Sequence, residues 1–114
     1  MNKTIEINGI LIPYDLNRNG FDLNTGDNLS NSPFDLELIK SIRDAIKTNF
    51  ISTPNIRINS GAYSYELKHI IEKFLNTNCS NGDLIYSMIA EGYKFKRDGI
   101  NCFFNVDPKS TKLK

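Results

Sequence analysis

Apolar positions along this chain follow a helical period and then switch to a strand period. Leu67, Ile70, Ile71, Phe74 and Leu75 fall at i, i+3, i+4, i+7 and i+8 behind Ser64, which predicts a helix capped by Ser64 with one face in the core. After the polar turn Asn76 to Cys79, Leu84, Ile85, Met88 and Ile89 predict a second helix, with Ser80 or Asn81 as N-cap and Gly92 placed to stop it in the left-handed conformation. Tyr93 to Arg97 and Ile100 to Val106 are then β-prone runs around Arg97-Asp98-Gly99-Ile100. They predict a hairpin with Ile100, Cys102, Phe104 and Val106 on one face.

Upstream, Ser32-Pro33 reads as a helix start, with Ser32 as N-cap, Pro33 at the first helical position and Asp35 in the first turn. Phe34, Leu38, Ile39, Ile42, Ala45 and Ile46 carry that helix to about Thr48. Pro54 separates it from Asn55-Ile56-Arg57-Ile58-Asn59, a β-like alternation too short to stand without a partner strand. At the N-terminus, Thr4 to Ile7 and Ile10 to Ile12 flank Asn8-Gly9, the dipeptide that fills both left-handed positions of a type I′ turn. Residues 15 to 31 lose all periodicity and become rich in Asn, Asp and Gly, which predicts a long polar loop.

The element order predicts an α+β fold of winged-helix type: helix, short strand, helix-turn-helix and C-terminal hairpin, preceded by an N-terminal hairpin. Three stretches follow: hairpin and polar loop (1–31), winged-helix-like domain (32–106) and a basic tail (107–114). At 114 residues and 39% hydrophobic content this is one domain with a modest core.

Net charge is +1, so the whole-chain balance does not demand a nucleic-acid partner. Its distribution is uneven. Residues 1–62 carry six Lys/Arg against seven Asp/Glu, residues 63–92 two against four, and residues 93–114 six against two. Cys79 and Cys102 are the only cysteines and form no CxxC pair, which argues against a zinc site or redox dithiol and for free thiols, with Cys102 buried. No signal-peptide pattern and no apolar stretch near ~18 residues is present, so a cytoplasmic protein with no membrane partner is expected.

In a winged-helix arrangement the helix from about Gly82 to Glu91 would read a DNA groove and residues 94–97 would form a wing strand. Its expected outward positions, Asp83, Tyr86, Ser87 and Ala90, include no Lys or Arg to neutralise phosphate. The nucleic-acid candidates are therefore Asn81 and Tyr86 near bases, Lys94, Lys96, Arg97 and Lys109 on phosphates, and the N-cap amides near Asn81. The same lysines serve equally as a solvated edge that discourages strand aggregation. A second set, Tyr65, Lys68, His69 and Glu72, gathers on the helix face opposite the apolar stripe and suits a protein partner, or a surface histidine paired with a carboxylate.

Asp15-x-Asn17-x-Asn19-Gly20 matches the first half of a calcium loop, but Gly26 stands where a bidentate Glu is needed and a turn-rich loop explains the same residues. No catalytic constellation, metal-ligand set or cofactor motif is found, and the chain is not expected to be an enzyme.

The strings SYELKHIIE (Ser64 to Glu72), SNGDLI (Ser80 to Ile85), Gly92-Tyr93 and NCFFN (Asn101 to Asn105) resemble a pattern of small prophage and mobile-element proteins, SYxLKHxxE, SNGxxI, GY or GF, NxxFN. The resemblance covers about residues 60–106 and implies a bacterial or phage setting without an activity to carry over. The expected function is a small nucleic-acid-binding or regulatory protein acting through the basic wing and tail. The alternative is a protein-protein module, such as an inhibitor or adaptor of a host complex. The oligomeric state is left open.

Overall fold

A computed structural model of the chain describes residues 4–21, 35–56 and 62–107. The elements run β1 (Thr4–Ile7), β2 (Ile10–Pro13), β3 (Leu16–Asn17), β4 (Gly20–Phe21), α1 (Leu36–Asn49), α2 (Ser64–Leu75), α3 (Asn81–Ala90), β5 (Phe95–Asp98) and β6 (Asn101–Phe104). The described residues are thus α+β: three helices that pack on one another, with antiparallel pairs β1–β2, β3–β4 and β5–β6 around them.

The N-terminal hairpin forms as Asn8-Gly9 dictates, with both turn residues at positive φ (53° and 83°) and Ile7 opposite Ile10. The polar loop expected from residue 15 onward is replaced over its first part by a tight hairpin, β3–β4, with Leu16 opposite Phe21. Leu16 and Phe21 are core, and Asp15 and Asn17 are buried beside them. The local sequence hides this because two-residue strands carry no readable alternation. Residues 22–31 lie outside the described residues.

Helix α1 is capped by Asp35, whose side chain accepts from the Glu37 and Leu38 amides, so Asp35 is the cap and not a first-turn residue. Ser32, Pro33 and Phe34 fall outside the described residues. Ile39, Ile42, Ala45 and Ile46 form its buried face. Helix α2 begins at Ser64 itself, with Tyr63 in the cap position and no side-chain cap. Ser64 is buried and accepts from the Cys102 amide, while its hydroxyl donates to Asn101 Oδ1. Leu67 and Ile71 are fully buried and Leu75 packs partly buried against the core, but Phe74 in the same stripe is exposed.

Helix α3 opens with a capping box: Asp83 N–H donates to Ser80 Oγ and Ser80 N–H to the Asp83 carboxylate. It closes as Gly92 predicts, at φ +88°, with the Gly92 amide on Ile89 O and the Tyr93 amide on Met88 O, a Schellman stop. Every residue from Asn81 to Met88 is buried. The expected outward face of Asp83, Tyr86 and Ser87 does not exist. The N-terminal hairpins cover it: Tyr86 Oη donates to Ile7 O, and the Gly82 amide donates to Arg18 O. A Cβ on Gly82 would stand 1.9 Å from Asn17 O, so only glycine permits this approach.

The C-terminal hairpin pairs Asp98 with Asn101 and so turns at Gly99-Ile100, one residue later than the Asp98-Gly99 turn the sequence favours. Cys102, Phe104 and Val106 enter the core, while the turn leaves Ile100 half exposed. Segments preceding α2 flank this strand through isolated bridges, Ser52 to Val106 and Tyr63 to Phe103. The expected strand at Asn55–Asn59 is not seen at residues 55–56, and residues 57–59 lie outside the described residues, as do Lys109, Lys112 and Lys114. No described helix is long and apolar enough to cross a membrane.

Candidate functional site

Of the residues expected to grip phosphate, Lys94 and Arg97 are committed to the fold, and Lys109 lies outside the described residues. Arg97 meets the buried Asp15 carboxylate with both terminal nitrogens, and its guanidinium lies 4.3 Å from the Phe21 ring centroid. Lys94 Nζ donates to Pro54 O at 2.9 Å, and its backbone amide donates to Asn105 Oδ1 at 2.7 Å. Asn105 in turn donates to Thr53 O, which ties the hairpin to the chain after α1. Lys96 is exposed. Tyr86 is in the core with its hydroxyl bonded, so it presents nothing to a base. The α3 amides that would have met phosphate are also taken, Gly82 by Arg18 O and Asp83 by Ser80 Oγ.

The second predicted set comes together on α2. The Tyr65 and His69 rings meet edge to face at 4.5 Å, and Lys68 Nζ lies 5.5 Å from the Tyr65 centroid. Glu72 is the hinge of the group: one oxygen meets Lys68 Nζ at 3.1 Å and His69 Nδ1 at 3.3 Å, and the other accepts from the Cys79 amide at 2.9 Å. Burial pushes the Glu72 carboxyl up, but the Cys79 amide, Lys68 and His69 outweigh it and hold it below its ordinary value of 4.5. A lowered carboxylate pKa contributes stability above the ordinary value that is lost as pH falls through the folded value. Glu72→Gln is therefore expected to lose about 1–2 kcal/mol at pH 7. The gap to the parent, read by urea titration, should close in acid; a gap independent of pH would remove the carboxylate as its cause.

Beside this ladder lies a groove of about 720 Å³, within the ~300–1,000 Å³ typical of ligand clefts. Tyr65 and Lys68 of α2 with Tyr63 just before it form one wall, and Arg18 and Asn19 from the β3–β4 turn stand among its other walls. Its remaining lining comes from Ser80 and Asn81 at the start of α3 and from Ile100 and Asn101 at the β5–β6 turn. Asn81 Nδ2 donates to Asn101 Oδ1 at 2.8 Å and to Asn19 O at 3.0 Å, so one amide joins three elements. Asn101 Oδ1 also accepts from Ser64. Behind the cations sit carboxylates that do not line the groove: Asp83 is 3.4 Å from Arg18 Nε, and Glu72 holds Lys68. Tyr63 Oη donates to Asp98 at 3.0 Å. Burial raises the Tyr63 pKa, and Asp98 adds to the rise against an opposing bond from Asn101, which keeps the phenol protonated as a donor.

The groove joins Asn81 from one predicted set to Tyr65 and Lys68 from the other. It leaves out Lys94, Lys96 and Arg97. Arg18, Asn19 and Tyr63 were not foreseen, because nothing local marks a turn arginine as facing a helix sixty residues away. Asn101 had a signal, since it opens the NCFFN string.

The two thiols belong to the core. Burial, with Glu72 adding, pushes Cys79 up to about 12, and burial pushes Cys102 well above the thiol range. Neither should react with a water-soluble disulfide reagent at pH 8 until denaturant is added; rapid native-state labelling would contradict their burial. Compared with protein-family models, with curated proteins and with solved structures, the chain matches none.

Proposed function

We propose that this is a small non-enzymatic binding protein of bacterial or phage origin that takes its partner at the groove between α2, the start of α3 and the two hairpin turns. The observation that carries this is the pairing of each groove cation with a carboxylate set behind it, Arg18 with Asp83 and Lys68 with Glu72. Such pairs fix long side chains in place before a partner arrives, which lowers the ordering cost of binding. The groove is also where the strings resembling mobile-element proteins converge: Ser64 and Tyr65, Lys68, Ser80, Asn81 and Asn101. The core order of helix, bridge, two helices and hairpin fits a winged-helix ancestry in which the N-terminal hairpins have closed over the reading helix.

Duplex gripping by a basic wing is the weaker reading, because Arg97 and Lys94 are already bonded and Tyr86 is buried. A benzophenone amino acid placed at Tyr65 or at Lys96 tests the choice in cells. Adducts from position 65 and not from 96 are expected. Adducts from 96 alone, or from neither, would overturn the groove.

A further inference from the structure

We infer that the groove takes a segment of single-stranded nucleic acid, with an unstacked base against Tyr65 and the adjoining phosphates between Lys68 and Arg18. This rests on the groove being the binding site. Three chemistries meet there, and a nucleotide satisfies all of them. First, the described lining carries two cations and no carboxylate, and the carboxylates paired with them sit behind, so the side turned to a ligand presents cationic donors that suit an anion. Second, the lining includes two phenol rings, and Tyr65 is half exposed with Lys68 already over its ring. Stacking on such a ring is tolerant of base identity.

Third, Asn81 is 8% exposed, yet its Oδ1 has no hydrogen-bond partner among the described residues. Turning the amide over would not help. Its Nδ2 faces three acceptors, Asn19 O, Asn101 Oδ1 and Ile100 O, and the exchange would set an oxygen against all of them. That oxygen is itself buried, and a shift of the Asn81 side chain at the groove wall on binding brings it to a ligand donor; a base edge supplies N–H donors that a phosphate or carboxylate lacks.

An acidic peptide explains the cations and brings backbone N–H donors of its own, but its carboxylate side chains leave the exposed Tyr65 ring without a stacking partner. A duplex keeps its bases stacked and cannot place one between the two turns. Single strands are thus the occupant that accounts for the whole lining.

The test is fluorescence polarisation of the full chain with labelled random 12-nucleotide single strands, the matching duplex and a polyglutamate competitor. Two neutralised phosphates give a salt slope of about −1.4, so a fourfold rise in salt should weaken single-strand binding about sevenfold. Tyr65→Ala should weaken it by about fivefold or more, and Lys68→Ala should halve the salt slope. Lys96→Ala should stay within about twofold, and thermal melts of each variant report folding separately. Tyr65 is exposed, so its variant stays informative even if loss of Lys68 unsettles Glu72. No single-strand binding at low salt, binding indifferent to Tyr65 and Lys68, or equal affinity for duplex would overturn the inference. Polyglutamate competing as well as nucleic acid would also overturn it and assign the groove to an acidic protein. In these cases adducts from position 65 would still uphold the groove itself.

Discussion

Replacing Gly82 by alanine is expected to destabilise the protein by about 2–4 kcal/mol, the range of an overpacked core position that also strains a backbone contact. The sign is the informative part. Helix propensity alone favours alanine over glycine by up to about 1 kcal/mol in a helix, so a reading confined to the sequence expects a gain. The structure reverses it, because the new Cβ would stand 1.9 Å from Asn17 O and 2.8 Å from Arg18 Cα, both backbone atoms with no side-chain freedom to retreat. Relief would require the β3–β4 turn to lift from α3, breaking the Gly82 amide bond to Arg18 O and moving Arg18 away from Asp83. The urea midpoint should fall, and any ligand binding at the groove should weaken with it. Gly20 is held in the same way, at φ +119° with Ile100 O 1.9 Å from where a Cβ would stand. A Gly82→Ala protein as stable as the parent would mean that the hairpin does not sit against α3.

Arg97→Ala is expected to lose about 2–3 kcal/mol of folding stability, whatever it does to binding. Truncation leaves the Asp15 carboxylate, 3% exposed, without its counterion and removes the guanidinium from the face of Phe21. Arg97 is itself 41% exposed, so water reaches the vacated side and keeps the loss below that of a fully buried pair. Asp15→Asn combined with Arg97→Ala should recover part of the loss, since no unpaired charge is then left behind. A double-mutant cycle in urea measures this coupling. A cycle with no coupling would show that Asp15 and Arg97 do not act as a pair. The consequence for function is direct: reduced nucleic-acid binding by an Arg97 variant would report a loosened fold, whereas Lys96→Ala interrogates the β5–β6 hairpin surface without that cost.

How far the sequence could be read depends on how local each determinant is. Asn8-Gly9, the Ser80 cap and the Gly92 stop were legible because each is set by the backbone preferences of one or two residues. The periodicity of α1 and α2 located their buried faces, although Phe74, on the α2 stripe by spacing, is exposed. The Tyr65, Lys68, His69 and Glu72 cluster was likewise legible, since helical spacing alone makes such residues neighbours. Residues 15–21 were not, because Asp15 and Asn17 are polar and yet buried. Burial of Asp15 is tolerable only because Arg97, distant in sequence, meets its carboxylate.

The same logic separates the two candidate surfaces. Charge counting marks Lys94, Lys96 and Arg97 as a basic wing, but a count is blind to the Pro54 carbonyl and Asp15 carboxylate that occupy two of them. By itself, then, the sequence determined the α+β class, the three helices, the Asn8-Gly9 turn, the Ser80 cap and Gly92 stop of α3, and the α2 ladder, all governed by interactions within about four residues. Only the tertiary structure decided that α3 is enclosed, that Lys94 and Arg97 are committed to the fold and that a groove joins Arg18, Lys68 and Asn81, because packing and long-range hydrogen bonds set those relations and leave no periodic trace in the chain.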